Sequence, residues 1–292
     1  MKQIEKAAVL AGAILSLWVV PTYLCAADQI PAFAPLNHTH GAGKGGVGAA
    51  QSVVRVHCLK DNTGGTGFIH VSGYIITAAH VVSGCEGAQI DVVGVGIKGK
   101  LNVTAVAAKD DALDLAVLKT EKKVTVPLTQ ILAISSHSNF TLGDQVTTWG
   151  YPEGYGGPIP LLSVGYLAGQ GQLQNPDKSV SPNRWFVNAA FNSGNSGGPL
   201  LRVEDGTVIG VVISKLAPVP DEVESILQAL KNQKAGFTYT RTYPDGRKEK
   251  LTEGQVVHEV LHYLRRQTQL VIGHAVMLGD LRKFLEDNKI EP

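Results

Sequence analysis

From Ser52 to about Lys215 the chain is written in short runs rich in Val, Ile and Thr, closed by Gly, Pro or polar turns: SVVRVHCL, GTGFIHV, GYIITAAHVV, QIDVVGVG, KLNVTAVAA, LDLAVLK, QVTTWG, RWFVNAA and TVIGVVIS. β-Branched residues suit a pleated, half-buried surface, and breaks this closely spaced leave little room for helices. The pattern restricts this region to an all-β sandwich or a pair of barrels. After Lys215 the texture changes. PDEVESILQALKNQ predicts a helix, GFTYTRTYPDGRKEKLT a hairpin around Pro-Asp-Gly, and EGQVVHEVLHYLRRQ a second helix. QLVIGHAVML then resumes as a strand and LGDLRKFLEDN closes as a helix. An α/β segment at about 216–269 therefore interrupts the β domain.

The N-terminus has the layout of a secretory signal: Lys2 and Lys6, an apolar run from Ala7 to Val20, and a small-residue exit at Cys25-Ala26-Ala27. Residues 1–27 are expected to be removed. The alternative is a retained anchor, although the run before Pro21 is short for a membrane span. Residues 28–51, rich in Pro, Gly, Ala and His without apolar periodicity, read as a flexible leader. The remainder, 52–292, is long enough for one large or two small cores and has no second hydrophobic span.

With 26 Lys plus Arg against 25 Asp plus Glu, the chain lacks the positive excess that gathers phosphates, so nucleic acid is not an expected partner. Of the three cysteines, Cys25 leaves with the signal, and Cys58 and Cys85 remain. In an oxidising compartment these allow one internal disulfide; in a reducing one they would be two buried thiols.

Three pieces that carry chemistry occur in order: Thr77-Ala-Ala-His80, Asp114-Leu-Ala-Val-Leu118 and Gly194-Asn-Ser196-Gly-Gly-Pro-Leu200. Acyl transfer to water at neutral pH needs an activated nucleophile, a base to take its proton and an acid to orient that base, roles that Ser, His and Asp fill. The glycines around Ser196 let the backbone turn until the amides of Gly194 and Ser196 point at one spot, where an oxyanion would develop. Asp110 and Asp111 are neighbouring acids that could take the place of Asp114.

These motifs resemble those of the chymotrypsin-fold serine proteases, and within that fold the HtrA or Deg type. GTGFIHVSGYIITAAHVV, LGDQVTTWGYPEG, LLSVGYLAG, NAAFNSGNSGGPLL, GTVIGVVIS and VIGHAVMLGDLRKFL match that family's strands and closing helix in order. The resemblance implies two six-stranded β-barrels with a C-terminal helix and, in this chain, the inserted α/β segment. It assigns the nucleophile to Ser196, the general base to His80 and the orienting carboxylate to Asp114. The oxyanion hole falls to the amides of Gly194 and Ser196, with help from the side chain of Asn195. Ala190, six residues before Ser196, and Phe191 would line the primary pocket, where neither can pair a substrate Lys or Arg, so small or medium apolar side chains are expected there. No PDZ module is recognisable after the protease domain. The resemblance implies a secreted or periplasmic endopeptidase of unfolded protein, needing no metal or organic cofactor. HtrA relatives form trimers, so a homo-oligomer is compatible with it.

Two other readings compete. The stretch His258-Glu-Val-Leu-His262 has the spacing that places two zinc ligands and a general base on one helical face. On a helical wheel, however, Val256, Val257, Val260, Leu261 and Leu264 share one arc, which turns both histidines toward solvent, and only the remote His274 and Glu286 offer a third ligand. Alternatively the domain is a catalytically idle peptide-binding or chaperone-like module that holds peptides by strand addition.

Overall fold

A computed structural model describes residues 47–292, except 61, 98, 123, 125–131, 174–180, 216–220, 244–246 and 268–271. The expected signal and most of the leader lie outside the described residues. The last part of the leader is ordered, contrary to expectation: α1 (Val47–Ser52) runs directly into the first strand, because Ala49 and Ala50 are buried in the core.

The β region forms two closed six-stranded barrels. The first contains β1 (Val53–Cys58), β2 (Thr63–Ile69), β3 (Ile75–Thr77), β4 (Ile90–Gly94), β5 (Lys100–Asp110) and β6 (Leu115–Thr120), in the order β1-β2-β3-β6-β5-β4. The second contains β7 (Gln145–Gly150), β8 (Leu161–Gly171), β9 (Arg184–Val187), β10 (Pro199–Arg202), β11 (Val208–Lys215) and β14 (Gly273–Met277), in the order β10-β11-β14-β9-β8-β7. Every pairing within the barrels is antiparallel, which fits the short connections.

Several strands are apolar on both faces, and the cores explain why. Val54, Val56, Ile69, Ile75, Ile90 and Leu118 belong to one cluster inside the first barrel, and Val146, Leu167, Trp185, Leu200 and Ile209 to another inside the second. Their neighbours in the chain, Val53, Phe68, Ile76, Val117, Leu201 and Val208, join a third cluster at the seam between the barrels. Successive side chains of a strand point to opposite faces, so each of these strands serves two cores. The C-terminal helix, at residues 278–287, closes the seam cluster with Leu281, Phe284 and Leu285.

Between β11 and β14 lies the insert: α2 (Asp221–Lys231), the hairpin of β12 (Thr238–Thr242) and β13 (Lys248–Thr252), and α3 (Glu253–Gln267); the closing helix is then α4 (Leu278–Asp287). The Pro-Asp-Gly turn expected to close the hairpin falls at 244–246, outside the described residues. The apolar arc of α3 does not pack inward as the wheel suggests. Val257, Val260, Leu261 and Leu264 are exposed, whereas His258 and Glu259 are half-buried. The helix packs chiefly against α2, and the pairing of Glu259 with Arg241 of the hairpin draws in the face that bears Glu259. Among the described residues, no helix is long and apolar enough to cross a membrane.

Candidate active site

His80 sits in a short 3₁₀ helix (Ala79–Val82) directly after β3 and is held from below by buried Ala79, Val81 and Val82. A disulfide between Cys58 and Cys85, with a Cα separation of 6.0 Å, ties the segment following this helix to the end of β1. Asp114 is in the turn between β5 and β6, in the left-handed region at φ 61°. That turn is shaped by Asp110, whose Oδ1 accepts the amides of Ala112 and Leu113 at 2.9 and 2.8 Å. Asp111 pairs with Lys109 at 2.7 Å on the surface. Of the three acids, therefore, Asp114 is the one brought to His80: Oδ2 lies 2.7 Å from Nδ1, and Oδ1 accepts the His80 amide at 2.9 Å. This double contact fixes the ring and leaves its Nε2 edge facing away from the carboxylate.

The Asp114 carboxyl feels opposing influences. Burial pushes it up, but the hydrogen bonds and charge of His80, and the charge of Arg184, outweigh burial and hold it below its ordinary range. Arg184 and His274, from β9 and β14, stand behind it. Arg184 is buried and donates Nη2 to the Ala112 carbonyl at 3.1 Å, which fastens the Asp114 turn to the second barrel. Burial first, and then the nearby charge of Arg184, push His274 down to about 4. His274 stands within VIGHAVML and Arg184 opens RWFVNAA, but neither stretch assigns its residue a role at the site. The available hint was an Arg opening an apolar strand and a His within one, both unusual in strands buried on two faces.

Ser196 is buried to 7 % exposure in a loop folded by two tight turns, with the Asn195 amide donating to Asn192 O and the Gly198 amide to Asn195 O, each at 3.0 Å. Gly194 and Gly197 take φ of 92° and 87°, and a Cβ on Gly197 would stand 2.1 Å from Thr66 O. No other residue type fits there without moving β2. Thr66 joins this loop to the first barrel: its amide donates to Ser196 O at 2.8 Å, its hydroxyl donates to Gly194 O at 2.6 Å, and the hydroxyl also accepts the Tyr151 amide at 2.9 Å. Sequence reasoning passed over Thr66, although it stands within GTGF. Among the described residues, the amides of Gly194 and Ser196 donate to no other group. The Ser196 hydroxyl donates to the Ile213 carbonyl.

Two expectations need correction. The Asn195 side chain cannot assist an oxyanion, because it is buried and its Nδ2 donates to the Ala190 carbonyl at 3.2 Å. Phe191 does not line an open pocket: it is 1 % exposed within the second-barrel core, with its ring packed against the Gly273 backbone. Ala190 remains partly exposed, and its carbonyl also accepts the Ser163 hydroxyl at 3.2 Å.

The HEVLH stretch is helical, but its parts are otherwise engaged. The His258 and His262 rings stack with centroids 5.9 Å apart, and the Glu259 carboxylate pairs with Arg241 of the hairpin. His274 lies behind Asp114, and Glu286 is exposed on α4. Among the described residues, no three His, Cys, Asp or Glu side chains converge as a metal-binding group.

A paired barrel fold that brings a His–Asp pair and a glycine-rich serine loop to its seam defines the class of trypsin-like peptidases. The family description "Trypsin-like peptidase domain" matches residues 65–211, half of the chain, and the chain belongs to this family. A putative serine protease of Synechocystis, HhoA, is 36 % identical over 151 residues, covering 50 % of this chain and 36 % of the relative. A probable periplasmic DegP-like serine endoprotease of Bartonella henselae is 33 % identical over 172 residues, covering 58 % and 31 %. The chain thus spans about a third of the length of these relatives. Among solved structures, the inactive form of the Rv3671c protease of M. tuberculosis shares the fold with a TM-score of 0.52 at 20 % identity, over 82 % of this chain and 89 % of that one.

Proposed function

We propose that the protein is a serine endopeptidase, secreted or periplasmic, that hydrolyses unfolded or exposed protein segments through Ser196, His80 and Asp114. The observation that carries this reading is the two-point contact of Asp114 with His80, made at the seam where the Ser196 loop meets the first barrel. An ionised Asp114 keeps the proton on His80 Nδ1 and so leaves Nε2 as the base. The Ser196 hydroxyl turns about χ1 from the Ile213 carbonyl toward Nε2 and gives up its proton as Oγ attacks the scissile carbonyl. The amides of Gly194 and Ser196, uncommitted elsewhere, receive the developing oxyanion. His80 then donates the proton to the leaving amine, and water completes the cycle by the same route. The two hydrogen bonds of His80 to the half-buried Asp114 fix the pair in advance, so little reorganisation accompanies the charge movement. The partly exposed Ala190 supports a preference for small or medium apolar side chains at the cleaved position.

The engagement of Glu259 with Arg241 argues against the zinc reading, and the presence of all three triad residue types argues against an idle binding module. The test is hydrolysis of an unfolded protein by the mature chain and by Ser196→Ala under identical conditions. The variant is expected to lose about a thousandfold or more while keeping its fold. Equal activity in the two proteins would overturn the serine mechanism.

A further inference from the structure

The insert leaves the second barrel after Lys215 and returns at Gly273, residues that pair across β11 and β14. Lys215 lies two residues beyond Ile213, whose carbonyl accepts the Ser196 hydroxyl. Departure is therefore about 7 Å along the strand from the Ser196 side of the cleft. The far end of the insert touches the other barrel. Arg247, just before β13, donates Nη2 to the Lys60 carbonyl at 3.0 Å, and its guanidinium lies over the Tyr243 ring at 4.8 Å. Lys60 belongs to the β1–β2 connection, and its ammonium donates to the Gly84 carbonyl at 3.0 Å, four residues beyond His80. From this connection β2 leads straight to Thr66 beside Ser196, about 13 Å from Asn62 at the spacing of an extended strand.

The insert is also braced internally. β12 and β13 pair from Thr238↔Thr252 to Thr242↔Lys248. The Tyr243 hydroxyl donates to Glu249 at 2.6 Å, Arg241 pairs with Glu259 of α3, and the Thr252 hydroxyl donates to the Gln233 carbonyl at 2.9 Å. This network accounts for Glu259, the glutamate of HEVLH.

We propose that the insert is a specificity element that bridges the two barrels on the His80 side of the cleft and selects substrates by the bulk of the chain on the leaving side of the scissile bond. The inference rests on the endopeptidase reading above. Because His80 protonates the leaving amine, the chain beyond the cleaved bond departs past His80 and the Ser83–Gly84 turn, toward the Lys60–Arg247 bridge. An extended chain clears such a bridge, and a folded domain joined close to the scissile bond collides with it. The His80 side chain retains 48 % exposure, so the bridge borders the cleft without sealing it.

The test uses two internally quenched substrates with the same sequence up to the scissile bond. One continues as a short extended tail and the other enters a small folded domain directly. Arg247→Ala, at an exposed position, is expected to raise hydrolysis of the domain-bearing substrate relative to the short one by about threefold or more, the low end for one lost hydrogen bond. Hydrolysis of the short substrate should stay within about twofold. In the same variant, deuterium exchange across residues 59–64 should accelerate. Accelerated exchange with an unchanged substrate ratio would overturn the selection, and unchanged exchange would overturn the bridge itself. Failure of the wild-type protein to cleave either substrate above Ser196→Ala would overturn the endopeptidase reading and this inference together.

Discussion

The barrels and the insert differ in what water can reach. Phe68, Ile75, Leu115, Leu118, Leu200 and Ile209 are wholly buried, whereas between residues 221 and 267 Leu227, Leu251 and Thr252 are the buried non-glycine side chains among the described residues. Most barrel strands are fixed by apolar surface removed from water on both faces, at about 25 cal/mol per Å². The insert is held by strand pairing and by exposed or half-exposed ion pairs such as Arg241 with Glu259 and Glu249. Surface pairs of this kind contribute about 0–1 kcal/mol each. The difference teaches where the molecule tolerates change: the scaffold that carries His80 and Ser196 is over-determined, and the element beside the cleft is only lightly fastened.

The sharpest way to break this contrast is to truncate one leucine in each region. Leu200→Ala is expected to lower stability by about 3 kcal/mol, as a cavity opens in the second barrel. Leu261→Ala, in the exposed arc of α3, should change it by no more than about 0.5 kcal/mol. Urea midpoints compare the two directly, and equal losses would show that the insert has a core of its own.

An effect of similar size sharpens the contrast through pH. His274 is held neutral in the folded state, down to about 4, by burial and by the charge of Arg184, with Asp114 pulling the other way and His80 adding to the shift. The unfolded chain takes up this proton near 6.5. Stability is therefore highest above about 6.5 and falls as pH drops toward 4, by about 3 kcal/mol from this group. His274→Gln should flatten the dependence in that window, and urea unfolding at pH 7, 5.5 and 4 checks it. A profile with the wild-type slope would remove His274 as its source.

The smallest effect belongs to the insert. Glu259→Gln leaves Arg241 with a neutral partner at a half-exposed site and should cost under about 1 kcal/mol, with hydrolysis of short peptides unchanged. Loss of that hydrolysis on this substitution would revive the HEVLH chemistry.

Much of the double barrel was legible because its strands carry β-branched runs broken at every turn, and His80, Asp114 and Ser196 stood out because each closes or opens a recognisable stretch. The choice among Asp110, Asp111 and Asp114 was not settled by composition. It depends on a turn in which Asp110 uses its carboxylate on the backbone and so swings Asp114 around to His80. Phe191 was misread because position in a motif says nothing about which side of a loop a ring takes; the space against Gly273 decides it. Thr66, Arg184 and His274 act on the site across the seam, from strands distant in the sequence, and local patterns mark at most an Arg and a His as unusual in their strands without saying what they face. The wheel of α3 found its apolar arc but carried no sign of the Arg241 partner that draws in the opposite face.

The pairing of Lys215 with Gly273 has a further consequence. An excursion that departs and returns through one rung of a ladder has its ends already closed, so lengthening or shortening it costs little: doubling a loop adds only about 0.6 kcal/mol of closure entropy. This rung is a socket, where the ladder itself does not limit the length of what the chain carries; only contacts made further out, such as Arg247 with Lys60, do. A fluorescent or affinity module grafted there would report on the mouth of the cleft from a point that the fold has already arranged to be indifferent to it.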